Sequence, residues 1–335
     1  HNSWFGGKPV KITLPDAWSV TYCSMAADGC PGLTREDIEK RINMPFGSRT
    51  IMELAEGKRD VCIVFDDMSR GTPCKAMAEI IIEQLRSAGI KKEQIRFICA
   101  TGSHSACNRI DFEKKLGSYI VKNYAVFNHN PFQNCRNVGT TSGGVELHIN
   151  EELMRCDLKI GIGSISPHPV NGFGGGGKLI IIGTAGMETI HQLHTKAAEC
   201  ASRKKLGFTS GIGNLELDGM RTQIEEAVEM VGLDFKVDAI LDSGCRIVEC
   251  TAGHPNVEYY KGCELSGRLN RSDKLPEGMD VVIANANVKA NEAAIALSVA
   301  SAALKPSGGA LVLVDHTPMG QVNHQYSGAS GYYTG

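Results

Sequence analysis

The sequence lacks the features that mark membrane, secreted and nucleic-acid-binding proteins. None of its apolar runs approaches the 18 residues that a membrane-spanning helix needs. Its first residues, HNSWFGGKPVKITL, show neither the basic start nor the apolar stretch of a secretory signal peptide. The 35 Lys and Arg residues are slightly outnumbered by 37 Asp and Glu residues, which leaves no basic excess to attract nucleic acid. We therefore expect a cytoplasmic protein that binds neither a membrane nor nucleic acid.

The twelve cysteines include no CxxC pair, which disfavours a zinc ribbon or a thioredoxin-like redox motif. A chain of 335 residues with 42% hydrophobic residues can bury its own core without disulfides. Since the sequence itself shows no secretory signal, we expect these thiols to be reduced.

Strand-like and helix-like segments alternate along most of the chain. Short apolar runs predict strands at 8–14, 60–65, 95–100, 126–129, 158–162, 237–241, 280–284 and 310–314. Periodic apolar patterns predict helices at 33–41, 50–56, 73–88, 222–231 and 291–304. This alternation predicts an α/β fold with largely parallel, Rossmann-like sheets.

The length predicts about two domains, and a polar segment with Gly and Pro, GRLNRSDKLPEG at 267–278, is the best boundary. We expect an N-terminal cofactor-binding and catalytic domain at residues 1–268 and a C-terminal α/β domain at residues 269–335. The Gly-, Ser- and Tyr-rich end of the chain suggests that the second domain is incomplete. The active site is expected in the cleft between the two domains.

Three polar motifs follow predicted strands: DDMSR at 66–70, TGSH at 101–104 and SPHP at 166–169. Ligands of open α/β sheets bind beyond the carboxyl ends of the strands, so we expect the motifs to converge. His104 is well placed as a general base, because imidazole titrates near neutral pH, or it is a loop residue that caps the next segment. The two Asp residues of DDMSR either form an exposed acidic turn or hold Arg70 for anion binding.

A glycine-rich segment at 172–178 formally matches the phosphate-loop pattern GxxxxGK. A phosphate loop needs Ser or Thr next, to hold Mg²⁺, and then a helix. Here Leu179 follows the lysine, and the run 179–182 looks like a strand. The pattern therefore does not favour a phosphate loop.

A zinc site is another interpretation of the same region. His191 and His194 are three residues apart and would share one side of a helix, and His168 could join them. However, no HEXXH motif and no neighbouring carboxylate base accompany them. We interpret His129, His148, His254 and His316 as structural.

Taken in order, DDMSR, TGSH, PHPVNGFGGGGK and METIHQLH resemble the motifs of the lactate racemase family, whose members use a nickel-pincer nucleotide. The motifs cover about the first two thirds of the chain. Lys178 follows His168 by ten residues and precedes His194 by sixteen, which agrees with the family spacing.

The resemblance implies a cofactor-binding role for three features. Lys178 would tether the nickel-pincer nucleotide through a thioamide. His194 would be the protein ligand of the nickel. The four glycines Gly174, Gly175, Gly176 and Gly177 would let the backbone approach the cofactor.

The resemblance also implies the catalytic residues. His104 and His168 would be the acid/base pair, and Arg70, held by Asp67, would bind the substrate carboxylate. The chain would then be a racemase or epimerase that inverts C2 of a 2-hydroxy acid by reversible hydride transfer to the cofactor.

Departures from the family pattern leave the substrate open. The Ser of the family's glycine-rich core is Gly174 here, and Ser69 replaces the usual Thr. A Gln near the substrate corresponds to Asn291 or Glu292, and no lysine matches the family's second substrate residue. Lactate, a sugar acid, and an aryl or branched hydroxy acid all remain candidates. Two other classes are also open: a non-catalytic nickel or nucleotide carrier on the same scaffold, and a zinc-dependent hydrolase.

Overall fold

The computed structural model describes residues 4, 11–169, 171–204, 211–215, 218–272, 274, 276–286, 292–317 and 320. The strands in this part are β1 Val61–Asp66, β2 Ile95–Ala100, β3 Ala125–Asn128, β4 Cys135–Thr140, β5 Glu146–Asn150, β6 Leu158–Ser164, β7 Pro167–His168, β8 Gly172–Phe173, β9 Phe235–Leu241, β10 Ile247–Gly253, β11 Val281–Asn285 and β12 Ala310–Val314. The α-helices are α1 Arg35–Ile42, α2 Ile51–Ala55, α3 Lys75–Ser87, α4 Arg109–Leu116, α5 Ser118–Asn123, α6 Glu151–Arg155, α7 Lys178–Ile181, α8 Met187–Arg203, α9 Asp218–Val231, α10 Pro255–Leu269 and α11 Ala293–Ser301.

The main sheet has six strands in the order β10-β9-β6-β1-β2-β3. All neighbours are parallel except β10, which runs antiparallel to β9. Counted along the chain within this sheet, the order is 3-2-1-4-5-6, that of a Rossmann sheet. The expected α/β class with a largely parallel, Rossmann-like sheet is thus confirmed. The strand order reverses between β1 and β6, which is where such folds bind ligands.

Both faces of the sheet are covered, so its central strands are buried throughout. Helices α1, α2 and α3 contribute to the hydrophobic core on one face, and α7, α8, α9 and the hairpin of β4 and β5 contribute to the other. A separate parallel pair, β11 and β12, carries α11. None of the described helices combines the length and apolar character that crossing a bilayer requires.

The prediction of a strand at 179–182 is wrong, because Lys178–Ile181 forms the helical turn α7. Its buried Ile180 and Ile181 belong to the core, and α7 contacts β1 and β6. In the main sheet, β1 and β6 each have a hydrogen-bonded neighbouring strand on both sides, so neither has a free edge to which residues 179–182 could add as a strand. One argument against a phosphate loop therefore fails, whereas the missing Ser or Thr after Lys178 still speaks against it.

The structure also differs from the sequence prediction in other places. In the predicted strand 8–14, residues 11–14 have no regular structure, and residues 8–10 lie outside the described residues. The sequence pattern did not indicate β10 or α10, which close the far edge of the main sheet.

Candidate active site

The three motif loops meet where the neighbouring strands β1, β2 and β6 end, as predicted. The backbone N–H of Gly102 donates to the carbonyl oxygen of Gly183 at 2.9 Å. This bond joins the TGSH loop to the segment that directly follows α7, although the two residues are far apart in sequence. The loops are thus fixed to one another as well as to the sheet.

Asp67 and His104 form a hydrogen-bonded pair at the centre of these loops. His104 Nδ1 lies 2.6 Å from Asp67 Oδ2, and Asp67 is 4% exposed. Burial alone would raise the pKa of Asp67, but the charge and hydrogen bond of His104, with smaller contributions from Arg70 and Ser69, lower this pKa to about 2. Asp67 is therefore a carboxylate at neutral pH, and it fixes the orientation of the imidazole with Nε2 directed away from it.

Ser69 links Asp67 to Arg70. Its hydroxyl donates to Asp67 Oδ1 at 2.5 Å and accepts from Arg70 Nη1 at 2.8 Å. Asp67 therefore interacts with Arg70 through this hydroxyl. The motif contained Ser69, but its role as a relay could only be recognised from the geometry.

Arg70 also reaches the C-terminal part of the chain. Its Nη1 lies 2.8 Å from Glu292 Oε2, and the Glu292 side chain is 4% exposed. Although burial lowers the pKa of Arg70, the charges of Glu292 and Asp67 more than compensate and raise it. No hydrogen bond from Nε or Nη2 of Arg70 to a described residue occurs, which leaves one edge of the guanidinium available to an anion. Asn291, the other substrate-binding candidate, lies outside the described residues.

The first Asp of DDMSR has a structural role. Asp66 accepts hydrogen bonds from Lys115 Nζ at 2.6 Å and from Thr72 Oγ1 at 2.5 Å. Lys115 is 1% exposed and also donates to the carbonyl oxygen of Arg70 at 2.8 Å. The buried ion pair of Asp66 and Lys115 thus holds the backbone of the DDMSR loop in place. The sequence alone did not identify Lys115.

His168 and Lys178 come together in the glycine-rich region. Lys178 Nζ lies 2.9 Å from His168 Nε2, and the backbone N–H of Asn171 donates to His168 Nδ1 at 3.3 Å. β7 and β8 form a short hairpin that carries His168, and Lys178 is the first residue of α7. The amine and the imidazole are therefore close enough to exchange a proton.

His194 has the properties of a neutral metal ligand. Its Nδ1 lies 2.7 Å from the carbonyl oxygen of Ile190, which can only accept, so Nδ1 carries the proton. Burial lowers the pKa of His194 to about 4, and the positive charges of Lys178, His104 and His191 contribute to the decrease. The lone pair of Nε2 is thus available at neutral pH. These contributions also show that Lys178 and His104 lie in the electrostatic neighbourhood of His194.

The histidines do not assemble into the zinc site that the sequence left open. Within the described residues, no three or more His, Cys, Asp or Glu side chains cluster as a metal site, and His168, His191 and His194 are all described. His129 is buried and structural, as predicted: its Nε2 lies 2.8 Å from the Ala185 carbonyl oxygen, and burial lowers its pKa to about 4.

Three of the four consecutive glycines are required by contacts within the protein. A Cβ atom would lie 2.4 Å from Ile165 at Gly175, 2.7 Å from Tyr259 at Gly176 and 2.1 Å from Val228 at Gly177. Only Gly174 has open space, with its nearest neighbour, the carbonyl oxygen of Ser166, at 3.8 Å. Tight packing of the loop thus explains most of this run, and close approach of a cofactor is not needed to account for it.

Asp238 on β9 holds the glycine-rich loop and was missed by the sequence analysis. Its Oδ2 accepts the backbone N–H of Gly176 at 2.6 Å, and Oδ1 is paired with Lys236 Nζ. Burial raises the pKa of the neighbouring Glu258 far above its usual range, and the charge of Asp238 adds to this effect. The sequence did contain an indication of this role, because Lys236 and Asp238 are two charged residues within an otherwise apolar strand, β9.

Comparison with known proteins gives consistent matches. The family described as the lactate racemase N-terminal domain matches residues 5–205. The lactate racemase of Thermoanaerobacterium thermosaccharolyticum is 29% identical over 254 residues, covering 75% of this chain and 58% of its own. That of Lactiplantibacillus plantarum is 28% identical over 238 residues, covering 70% and 54%. The chain thus spans little more than half the length of these relatives.

Two solved structures resemble the fold. The lactate racemase apoprotein from Thermoanaerobacterium thermosaccharolyticum superposes with a TM-score of 0.71 at 26% identity, covering 90% of this chain and 70% of that one. A Thermotoga maritima protein superposes with a TM-score of 0.61 at 23% identity, covering 75% and 64%, and supports the fold alone.

Proposed function

This chain belongs to the lactate racemase family, and we propose that it is an isomerase, a racemase or epimerase that inverts C2 of a 2-hydroxy acid. The observation that carries the proposal is the pairing of Lys178 Nζ with His168 Nε2 at 2.9 Å, in the neighbourhood of a neutral His194. The relatives named lactate racemase make lactate the first substrate to test.

We propose a nickel-pincer nucleotide as the cofactor, and the residues present fit such a group. Lys178 offers an amine for a covalent tether, and His194 offers one imidazole lone pair for a metal. A site in which the organic group supplies the remaining ligands needs no cluster of protein ligands, and none is found among the described residues. When bound, the cofactor supplies the hydride acceptor that no amino-acid side chain can provide.

The side chains of this chain have separate tasks in the proposal. His104, oriented by Asp67, holds or releases the proton of the C2 hydroxyl on one side, and His168 does so on the other. The available edge of Arg70 binds the substrate carboxylate in bidentate fashion. With the carboxylate fixed, the proposal assigns one imidazole to each of the two positions that the hydroxyl takes in the two enantiomers.

We further propose that residues 1–268 and 269–335 act as two domains in the cytoplasm, with the substrate in the cleft between them. The separate sheet of β11 and β12 supports this division. The ion pair of Arg70 with Glu292 is the contact between the two parts that lies at the proposed site. Closure of such a cleft would exclude water from the reacting carbon.

Intact-protein mass spectrometry of the chain made in a cofactor-producing host tests the cofactor assignment. We expect an adduct that is lost in Lys178→Ala and kept in Lys75→Ala, whose side chain is 61% exposed and pairs with Glu79. Racemisation of lactate and larger 2-hydroxy acids is followed by chiral chromatography. Full activity without nickel and without an adduct would contradict the proposed cofactor. An adduct without turnover of any tested acid would instead favour a non-catalytic nickel or nucleotide carrier.

Isotope labelling tests the hydride transfer. A 2-hydroxy acid deuterated at C2 should keep its deuterium after inversion in ordinary water, because hydride returns to the carbon from which it came. Complete exchange of this deuterium with solvent would instead indicate proton abstraction from carbon.

A further inference from the structure

Two cysteine sulfurs face each other across the TGSH loop. Cys99 lies near the end of β2 and Cys107 lies just before α4, and their Sγ atoms are 3.9 Å apart. A bond between them would close a ring that contains His104. Cys99 is completely buried, whereas Cys107 is partly exposed.

The backbone on both sides of this pair is fixed. The side chain of Asn128 accepts from the Cys107 N–H at 2.9 Å and donates to the Cys107 carbonyl oxygen at 2.8 Å. The backbone N–H of His129 donates to the Cys99 carbonyl oxygen at 3.0 Å. Both cysteines are thus anchored to neighbouring residues of one segment, which keeps the two sulfurs facing each other.

We propose that Cys99 and Cys107 form a reversible, peroxide-driven disulfide that encloses His104. The sulfur atoms must approach from contact distance to about 2.05 Å, and the proposal assigns this movement to rotation of the two side chains. Neither cysteine is among the residues assigned to catalysis or cofactor binding, so the modification goes beyond the proposed activity.

The exposure of the two thiols sets the order of the chemistry. The Cys107 thiolate attacks hydrogen peroxide, its sulfur gains an oxygen as sulfenic acid, and hydroxide leaves and becomes water. The Cys99 sulfur then attacks this sulfenic sulfur, the S–S bond forms, the Cys99 proton is lost and the oxygen departs as a second water. Peroxide is reduced and the two thiols are oxidised. Burial raises the pKa of Cys99, which makes Cys107 the thiol that reacts first.

A second sulfur pair provides a matched control within the same chain. Cys62 and Cys156 are close enough to influence each other's pKa, but they are 0% and 2% exposed. Cys62 lies near the start of β1, at the opposite end of the strand from the active-site loops. Both pairs therefore interact, but only the pair of Cys99 and Cys107 has a partly exposed member, Cys107, and lies on either side of His104 in the sequence.

The experiment treats the purified full chain with hydrogen peroxide, blocks the remaining thiols and maps peptides without reduction. We expect a cross-linked peptide pair joining Cys99 to Cys107, lighter by two hydrogens and reversed by dithiothreitol. Cys107→Ser should abolish it, and Cys156→Ser should leave its yield unchanged. Thermal unfolding of both variants shows whether each one is folded.

The alternative outcomes are distinct. Oxidation of Cys107 to sulfinic acid without a cross-link, or equal cross-linking of Cys62 to Cys156, would overturn the proposal. The cross-link is detected by mass and does not depend on turnover, so it can form even if the proposed racemase activity is absent. In active enzyme, we expect the oxidised form to lose at least tenfold in turnover and to regain it after reduction. Unchanged turnover of fully cross-linked enzyme would show that the ring does not regulate His104.

Discussion

Arg70 Nη1 and Glu292 Oε2 form an ion pair with a separation of 2.8 Å at the proposed substrate site. The guanidinium expected to receive a carboxylate therefore already has one as its neighbour. Glu292 is nearly buried, so this interaction is only weakly screened by water. A substrate carboxylate on the other edge of Arg70 would experience repulsion from Glu292.

Replacing Glu292 with Gln should tighten the binding of small anionic substrates. The amide keeps the size of the side chain and a hydrogen-bond acceptor but removes the competing charge. We expect the KM for lactate to fall about five- to tenfold, equivalent to about 1–1.4 kcal/mol. Glu249→Gln, which alters the remote pair with Arg41, is the matched control and should leave KM unchanged. A rise in KM for Glu292→Gln would mean that Glu292 orients Arg70 or contacts the substrate itself.

Replacing Asp67 with Asn should reduce kcat with little change in KM. The amide can no longer balance an imidazolium at His104, although it retains the shape of the carboxylate. We expect kcat to fall about 10²–10⁴-fold, the range typical of general acid–base catalysis. Steady-state kinetics of Asp67→Asn, His104→Ala and the double variant test this. Effects that multiply in the double variant would show that the two residues act independently.

Two glycine variants separate packing from cofactor approach in the glycine-rich loop. Gly177→Ala places a methyl group on Val228 and should lower the free energy of unfolding by about 1–3 kcal/mol. Gly174→Ala meets no close neighbour and should change it by less than about 0.5 kcal/mol. Urea unfolding of cofactor-free protein measures both. Equal destabilisation by the two variants would contradict the packing explanation.

Acid should destabilise the fold through His129. Its pKa is lowered to about 4 in the folded protein, so the unfolded chain binds a proton there at higher pH than the folded chain does. The free energy of unfolding therefore falls as the pH decreases from about 6.5 to about 4, by up to about 3 kcal/mol from this residue. In His129→Gln, the unfolded chain should bind about one proton fewer, relative to the folded chain, in this pH range. The free energy of unfolding should therefore depend less steeply on pH. An unchanged slope would exclude this contribution.

Much of the site was predictable because its chemistry lies in short motifs directly after strands. Once 60–65, 95–100 and 158–162 are recognised as buried strands, the parallel arrangement brings their loops to one edge. The positions of His104 and His168 follow from that reasoning, whereas Lys178 was singled out by the resemblance to the lactate racemase family.

The supporting contacts were not predictable, because they join residues that no local pattern connects. Lys115 reaches Asp66 across 49 positions, Asp238 reaches Gly176 across 62 and Glu292 reaches Arg70 across 222. The run 179–182 was assigned to a strand for a related reason. Its β-branched residues favour strands, but the two strands that it packs against are already paired on both sides, and this is a property of the whole sheet.

The hydrogen bond from Gly176 to Asp238 has a consequence for how the protein is made. The glycine-rich loop and Lys178 leave the ribosome well before β9 does, and until then the loop lacks its buried acceptor. A nascent chain that ends before residue 238 therefore carries Lys178, the proposed tether, on a loop that still lacks this hydrogen bond. If Lys178 is the tether, loading of the proposed cofactor should follow the synthesis of β9.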